Sequence, residues 1–339
     1  MSGRVRAAIG VPVRDEAALL PRLLSSLAAL ELTGVDAVAC FFLDGCSDNS
    51  EAIVRGAVLP MPVRLASGPL HRHANAGRAR AAAMALASDA VGEGAGALLL
   101  TTDADSRPRG DWLQAAARAL TLSDVAAGRI VRDGACDRVQ ARVEAYWDRL
   151  HAFRRFLDPV TWETGGCHQA GGANLAMRAE VYRSLGGFRA VAAGEDALLC
   201  DEASRAGYRV RHDPAMLVET SARRAGRARG GMADALRTLD RGTLPVVADP
   251  RAEAWQFRRH AAARAAFARM DEESVRAKLG AVLKLTPDHV LGVARDCPNA
   301  ESFATRIVPA ASDAGRLVEL DVAEEALTVL EGQWRRRAA

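Results

Sequence analysis

The sequence lacks a long apolar run, a large excess of either charge and any pattern of paired cysteines. No stretch reaches the roughly 18 apolar residues that span a bilayer, and the N-terminus lacks the apolar core of a signal peptide. Lys and Arg number 45 against 42 Asp and Glu, and this net charge of +3 argues against bulk nucleic-acid binding. The six cysteines show neither C-x-x-C pairs nor Cys/His zinc spacing, which is typical of reduced thiols. We therefore expect a cytoplasmic protein without a transmembrane segment.

Strand patterns alternate with helical patterns through the first two thirds of the chain. This alternation predicts βαβ units, and so an α/β fold with a mostly parallel sheet flanked by helices. From about Met232 onward, alanine, arginine and leucine recur at helical spacing and strand signals nearly vanish. The predicted organisation is a sheet domain over residues 1–230 followed by a helical C-terminal region over 231–339. The predicted strands cover residues 7–13, 35–43, 63–65, 97–102, 124–131 and 208–211.

Two carboxylates follow the most apolar of these strands. Leu98, Leu99 and Leu100 read as fully buried, and the segment continues to Asp103 and Asp105. Open α/β sheets bind ligands at the carboxyl ends of their strands, and Mg²⁺ or Mn²⁺ takes carboxylate and phosphate oxygens as ligands. The pattern favours a site for a divalent metal and a phosphate. The alternative is a solvated turn whose Asp side chains bond their own backbone.

Six segments, in order, resemble family-2 glycosyltransferases of the GT-A fold. The resemblance covers about residues 5–230, and its strength lies in the shared order, since each segment alone is weak. Two departures are Asp15, where the family has Asn, and a single Asp before Gly45. The segments are Val11-Pro12-Val13-Arg14-Asp15-Glu16, Leu43-Asp44-Gly45-Cys46-Ser47-Asp48, Asn75-Ala76-Gly77-Arg78-Ala79-Arg80-Ala81, Asp103-Ala104-Asp105, Gly171-Gly172-Ala173-Asn174-Leu175-Ala176-Met177-Arg178 with Gly186-Gly187-Phe188, and Gly194-Glu195-Asp196.

The resemblance implies a GT-A-like sheet and a nucleotide-sugar donor, and it implies roles for individual residues. Asp105 would bind the metal directly, and Asp103 would contact the ribose or reach the metal through water. Asp196 would be the catalytic base with Glu195 beside it, and the reverse assignment stays open. The remaining implied contacts are Pro12, Val13, Arg14 and Asp44 with the base and ribose, Arg78 near the diphosphate, and Asn174 with the Gly171-Gly172 turn between donor and acceptor.

The implied reaction is an inverting, metal-dependent transfer of a sugar from a nucleotide-diphosphate sugar to an acceptor hydroxyl. The chain lacks the Q-x-x-R-W motif and the membrane helices of processive polysaccharide synthases, which favours a single transfer. Two other functions stay open: a nucleotidyltransferase acting on a sugar phosphate, and a non-catalytic module that binds nucleotide sugars. The first usually carries a glycine-rich, Lys-containing loop after its first strand, and this chain has none there.

Several groups keep two interpretations. His212 is the candidate for a late metal ligand, although a structural role is favoured. The basic run of Arg223, Arg224, Arg227 and Arg229 would clamp a diphosphate or an anionic acceptor, or would be a solvated loop. A homodimer through the helical region and a peripheral membrane contact through Arg335, Arg336 and Arg337 are further alternatives. The hydroxyl acceptor itself is not indicated.

Overall fold

The computed structural model describes residues 4–71, 75–133, 138–163, 165–223, 237, 245–311 and 315–338. The chain divides into two compact units. The first contains residues 1–136, 169–203 and 210–237, and the second contains residues 137–168, 204–209 and 238–339. The boundary near residue 230 stays a prediction. Residues 137–168 group with the C-terminal residues rather than with the sheet.

Eight strands of the described residues form one mixed sheet in the first unit, in the order β3-β2-β1-β4-β7-β6-β8-β5. Parallel pairing joins β3 to β2, β2 to β1, β1 to β4 and β6 to β8, and antiparallel pairing joins the others. The expected α/β sheet flanked by helices is confirmed. The strands are β1 Val5–Val13, β2 Val35–Asp44, β3 Val63–Gly68, β4 Leu98–Thr101, β5 Ser106–Pro108, β6 Val125–Arg132, β7 Leu175–Arg178 and β8 Val210–Thr220.

Helices of the first unit pack against the sheet through apolar residues at helical spacing. Helix α1 buries Leu20, Leu23, Leu24 and Leu27, which lie on one face of its turns. Helix α3 begins at Asn75, whose side chain caps it by accepting from the amide of Arg78 at 2.8 Å. The helices are α1 Leu20–Ala28, α2 Ser50–Arg55, α3 Ala76–Val91, α4 Trp112–Leu122, α5 Arg138–Leu157, α6 Ala179–Ser184, α7 Glu195–Ala206, α8 Pro250–Phe267, α9 Glu273–Leu283, α10 Pro287–Arg295, α11 Ala300–Ile307 and α12 Leu320–Ala338.

The second unit is mainly helical, as the sequence predicts for the C-terminal region. It also holds a two-stranded antiparallel sheet of β9 (Val246–Ala248) and β10 (Leu317–Glu319), which the sequence pattern did not indicate. Its helices pack around Tyr146 and Leu327, and the Tyr146 hydroxyl donates to the carbonyl oxygen of Ala248 at 2.5 Å. No helix among the described residues is both long enough and apolar enough to cross a membrane.

The parallel pairing of the central strands brings three chain segments to one edge of the sheet. Strand β1 pairs in register with β2, so that Val13 lies opposite Leu43, and it also pairs with β4. Asp44 ends β2, and Arg14 and Asp103 follow β1 and β4, so these three residues emerge at the same carboxyl edge. Ligands of open α/β sheets bind at this edge.

Candidate active site

Two carboxylates emerge where the central strand β4 ends. The strand is buried throughout, and the amide of Thr102 still donates to the carbonyl oxygen of Gly10 at 3.3 Å. The chain then turns, with the amide of Ser106 donating to the carbonyl oxygen of Asp103 at 3.1 Å. This turn leaves the side chain of Asp103 36% exposed and that of Asp105 14% exposed. Both predicted metal ligands thus lie at the carboxyl edge of the sheet.

Arg80 is a buried cation that joins two of the candidate acids. Its Nη2 donates to Asp103 Oδ1 and its Nε donates to Glu195 Oε1, each at 2.9 Å. Its Nη1 donates to Thr101 Oγ1 at 2.9 Å and to the carbonyl oxygen of Gly172 at 2.8 Å. Burial alone would lower the pKa of the guanidinium, but the charges of Asp103 and Glu195 hold that pKa above its ordinary value. Arg80 therefore stays charged and ties the end of β4 to the first turn of α7.

Gly172 allows Arg80 to sit where it does. A Cβ on Gly172 would lie 2.2 Å from Cζ of Arg80, so a side chain at this position would displace the guanidinium. The carbonyl oxygen of Gly172 accepts from Arg80, and its amide donates to Asp196 Oδ2 at 2.7 Å. One glycine thus contacts both the buried cation and the predicted base. Because glycine has no Cβ, Gly172 permits this close approach of the backbone to the guanidinium.

The two acids of the first turn of α7 have different surroundings. The side chain of Glu195 is 4% exposed and is held by Arg80. Asp196 is only partly buried, and its oxygens accept from the amides of Gly172 and Ala197 at 2.7 and 2.8 Å. Because each carboxylate oxygen can accept two hydrogen bonds, Asp196 retains capacity for a further donor such as a hydroxyl group.

Asp44 and two arginines form a second cluster at the same edge of the sheet. The Asp44 side chain is 4% exposed, and Arg14 Nη1 donates to its Oδ2 at 3.0 Å. Arg14 Nη2 donates to the carbonyl oxygen of His71 at 2.9 Å. Arg78 Nη2 lies 3.6 Å from Asp44 Oδ1, and it is buried without a hydrogen-bond partner in the part of the chain that the structure describes. Arg78 therefore has a donor left for an additional anionic partner.

Pro12 and Val13, the other predicted donor contacts, are the last residues of β1. Val13 is fully buried in the core, whereas Pro12 is partly exposed. Any contact made here by Val13 would use its backbone. The contact of these residues with the donor stays a prediction.

A third cation lies against the second acid after β4. Arg223 Nη2 is 3.2 Å from Asp105 Oδ2, and the same guanidinium donates through both arms to the carboxylate of Glu16. Burial and the charge of Asp103 raise the pKa of the Asp105 carboxyl to about 6; Glu16 adds to this rise and Arg223 opposes it. Asp105 is thus a carboxylate whose negative charge is only partly compensated.

These acids suit a hard divalent cation. Within the described residues, neither Asp103 nor Asp105 belongs to a trio of His, Cys, Asp or Glu ligand atoms that lie within 4.8 Å of one another. A site of this kind would need further oxygen ligands from water or substrate. Mg²⁺ commonly binds in that way, through one or two carboxylates with substrate phosphates. A dication would also relieve the repulsion that raises the pKa of Asp105.

The raised pKa of Asp105 predicts an unusual pH dependence of stability in the metal-free protein. Because this pKa is about 6 in the folded protein and 3.8 in an unperturbed side chain, the folded chain binds the proton more tightly. The contribution of Asp105 to the free energy of unfolding should therefore fall as the pH rises from about 4 through 6. We expect Asp105→Asn to be more stable than the wild type at pH 7.5, on the order of 2 kcal/mol, and equally stable near pH 4. Urea unfolding of both proteins at the two pH values measures this, and a difference that does not depend on pH would contradict it.

Asn174 lies apart from these clusters. It is fully buried, and its Oδ1 accepts from Trp112 Nε1 at 2.8 Å. Its Nδ2 donates to the carbonyl oxygens of Arg129 and Met216 at 2.8 and 3.0 Å. The amide thus joins α4, β6 and β8 within the core. The structure does not bring this side chain to the group formed by the other candidate residues, and the predicted pocket contact stays a prediction.

Arg80 is the central residue that sequence reasoning did not assign, although it lies in a quoted segment. A signal was present. Arg80 shares the buried face of α3 with Gly77, Ala83, Met84 and Ala87, so a charged residue falls among small and apolar ones at helical spacing. A charge on such a face needs a buried partner.

The roles considered for His212 and for the basic run both stay predictions. His212 lies in β8 and is 8% exposed, and its role as a late metal ligand stays a prediction. Of the basic run, only Arg223 is described, and Arg224, Arg227 and Arg229 lie outside the described residues.

The model of one protein family, "Glycosyl transferase family 2", matches residues 8–186. This is more than half of the chain and includes the segments around Asp44, Arg80 and Asp103. No curated protein matches. Family membership therefore rests on the family model.

Several solved structures are similar to this chain. One is S. aureus TarS residues 1–349 in complex with UDP-GlcNAc, with 14% identity, coverage of 89% of both chains and a TM-score of 0.49. Another is the mannosyltransferase PcManGT from Pyrobaculum calidifontis in complex with GDP-Man and Mn²⁺, with 16% identity, coverage of 90% of this chain and 86% of that one, and a TM-score of 0.48. A third is glucosyl-3-phosphoglycerate synthase from Mycobacterium tuberculosis in complex with Mg²⁺ and UDP, with 21% identity, coverage of 72% and 81%, and a TM-score of 0.43.

Proposed function

The chain belongs to glycosyl transferase family 2 and is a nucleotide-sugar glycosyltransferase with the GT-A fold, and we propose that it is an inverting, metal-dependent enzyme that makes a single transfer. The acceptor is a hydroxyl group. The observation that carries this proposal is the contact of Arg80 with both Asp103 and Glu195. It brings the acids after β4 and the acids that begin α7 into one site, as a two-substrate reaction requires.

The donor nucleotide is held at the edge formed by β1 and β2. Asp44 and the backbone of Pro12 and Val13 contact the base and ribose. Arg14 fixes the Asp44 carboxylate through its bond to Oδ2. Nη2 of Arg78 is buried and has no hydrogen-bond partner among the described residues, which supports its assignment to the diphosphate, because guanidinium groups bind phosphate oxygens well.

Asp105 and Asp103 would hold the divalent cation, Mg²⁺ or Mn²⁺. When bound, such an ion supplies Lewis-acid stabilisation of the charge that develops on the leaving diphosphate. Arg80 fixes Asp103 by its bond to Oδ1, and so orients the other carboxylate oxygen. Because the pKa of Asp105 is raised to about 6, protons compete with the metal for this carboxylate at pH values up to about 6.

Asp196 is the base that accepts the proton of the acceptor hydroxyl. The acceptor oxygen bonds to the anomeric carbon while the bond from that carbon to the diphosphate oxygen breaks, and the proton passes to the Asp196 carboxylate. A base on the face opposite the leaving group gives inversion, as in inverting glycosidases. The amides of Gly172 and Ala197 hold Asp196 in place for this step. Glu195 is already bound to Arg80, which favours Asp196 over Glu195 as the base.

The cysteines support a reducing compartment for this reaction. Among the described residues, Cys40, Cys46, Cys167, Cys200 and Cys297 form no disulfide. Unpaired thiols in this number are typical of cytosolic proteins. We therefore place the enzyme in the cytoplasm.

A thermal-shift screen tests the donor site directly. UDP, GDP, dTDP, CDP and their common sugar conjugates are added with and without Mn²⁺. A ligand that binds only the folded protein raises the melting temperature by mass action. We expect one nucleotide to give a clear shift that grows with Mn²⁺ and is lost in Asp44→Asn. A shift of equal size with and without Mn²⁺ would contradict metal dependence, and no shift with any nucleotide would contradict the donor site.

A further inference from the structure

Arg223 contacts the acid that we propose as the direct metal ligand. Its Nη2 lies 3.2 Å from Oδ2 of Asp105, and both arms of the guanidinium donate to Glu16. The Arg223 side chain is 29% exposed, whereas the Glu16 and Asp105 side chains are 8% and 14% exposed. One partly exposed cation thus pairs with two nearly buried carboxylates and compensates their charge only in part.

We propose, on the basis of the function above, that Arg223 is a built-in competitor for the divalent cation. In the metal-free protein its guanidinium lies against Oδ2 of Asp105, and a metal that takes this oxygen must displace it. The positive charge of Arg223 thereby opposes the binding of a cation at this carboxylate.

A metal could approach either oxygen of Asp105. Oδ1 accepts from Thr220 Oγ1 at 3.4 Å, and this hydroxyl also accepts from Ser106 Oγ at 3.0 Å. A metal that takes Oδ2 displaces Arg223 from it, and a metal at Oδ1 lies close to the same guanidinium. In either position the like charges of the metal and Arg223 repel, so each weakens the binding of the other.

The release of Arg223 explains how metal and donor binding would be coupled. When a metal displaces Arg223 from Asp105, the guanidinium keeps its bonds to Glu16 and loses the second of its two carboxylate partners. A diphosphate offers an anion of the geometry that arginine binds well. The metal should therefore bind weakly to the protein alone and more tightly with a nucleoside diphosphate, and by linkage the nucleotide gains the same factor.

Binding of Mn²⁺ alone, followed by the paramagnetic resonance signal of the free ion, tests the competition without any need for activity. The proteins compared are the wild type, Arg223→Gln and Arg22→Gln. Arg22 is a matched control, because it is 34% exposed and pairs with one carboxylate, that of Asp133. Arg223→Lys is the second variant, because it keeps the positive charge but lacks the two arms of the guanidinium.

We expect Arg223→Gln to bind Mn²⁺ about tenfold more tightly than the wild type, since the repulsion between the metal and the guanidinium is removed. Arg223→Lys should fall between the two, and Arg22→Gln should match the wild type. The gain in Mn²⁺ affinity on adding UDP or GDP should be smaller in Arg223→Gln than in the wild type.

Two results would overturn the competition while leaving the proposed metal dependence intact. One is equal Mn²⁺ affinity in the wild type and both Arg223 variants. The other is an equal gain in Arg22→Gln, which would mean that any lost positive charge has the same effect. If no protein in the set binds Mn²⁺, with or without nucleotide, the metal dependence itself fails, and the competition fails with it.

Discussion

Asp196→Asn is expected to lower the turnover of the enzyme by a factor of roughly 10²–10⁴, the range that a positioned general base contributes, while donor affinity is retained. The amide cannot take a proton from the acceptor hydroxyl at neutral pH. Its carbonyl oxygen can still accept from the amide of Gly172, as Asp196 Oδ2 does at 2.7 Å, so the local backbone should be little changed. Release of nucleoside diphosphate from the donor, by transfer or by hydrolysis, measures turnover. The thermal shift measures donor affinity.

Two variants on the same helix sharpen this test. Asp201→Asn makes the same chemical change at an exposed position of α7 and should leave turnover unchanged. Glu195→Gln removes a carboxylate that Arg80 holds, and it should lower stability as well as turnover. If Glu195→Gln abolished turnover at unchanged stability and Asp196→Asn did not, the role of base would pass to Glu195.

Arg80→Met is expected to lower the free energy of unfolding by about 3–5 kcal/mol, the range for removing one partner of a buried ion pair. The change leaves the Glu195 carboxylate buried without its cation, and it removes a donor from Asp103, Thr101 and Gly172 as well. Urea unfolding at pH 7.5 gives the difference. Because Asp103 and Glu195 would then lose their common anchor, weaker metal-dependent donor binding should accompany the loss of stability.

The control for Arg80 is an arginine whose ion pair lies in water. Arg55 pairs with Glu51 one helical turn away, and the two side chains are 66% and 49% exposed. Arg55→Met should change the free energy of unfolding by no more than about 0.5 kcal/mol. The double variant Arg80→Met/Glu195→Gln removes one of the orphaned charges and should recover part of the loss. A loss below about 1 kcal/mol for Arg80→Met would mean that the buried acids find other partners.

Local pattern was enough to predict six of the eight strands that the described residues form in the large sheet, but it missed β5 and β7 and gave only the start of β8. The apolar run of Leu98, Leu99 and Leu100 is buried as β4, and Asp103 and Asp105 follow it as expected. A fully buried strand is a property of neighbouring residues, so it can be read from the chain directly. The antiparallel pairings of β7 with β4 and β6 could not be read in this way, because pairing partners are distant in sequence.

The start of α1 shows where a local pattern misleads. Asp15 and Glu16 precede leucines at helical spacing, and acids suit a first turn, so the local pattern predicts a helix that opens at these two residues. The helix begins at Leu20 instead, because Asp15 adopts a φ of +49° and its Oδ1 accepts from the amide of Ser47 at 2.6 Å. Asp, like Asn, tolerates this left-handed conformation better than most residues. The departure from the usual Asn at this position is therefore conservative in its backbone behaviour.

By itself, the sequence determined the class of fold, the family and the order of the polar segments along the chain, because each depends on residues close in sequence. Only the tertiary structure decided which charges meet. Arg80 reaches Glu195 across 115 positions of sequence and Asp103 across 23, and Arg223 reaches Glu16 across 207. Such contacts depend on strand order and on the close approach that Gly172 permits to Arg80. A buried charge needs a counter-charge close to it in space. The spacing of residues along the chain does not show which distant residues the fold brings there.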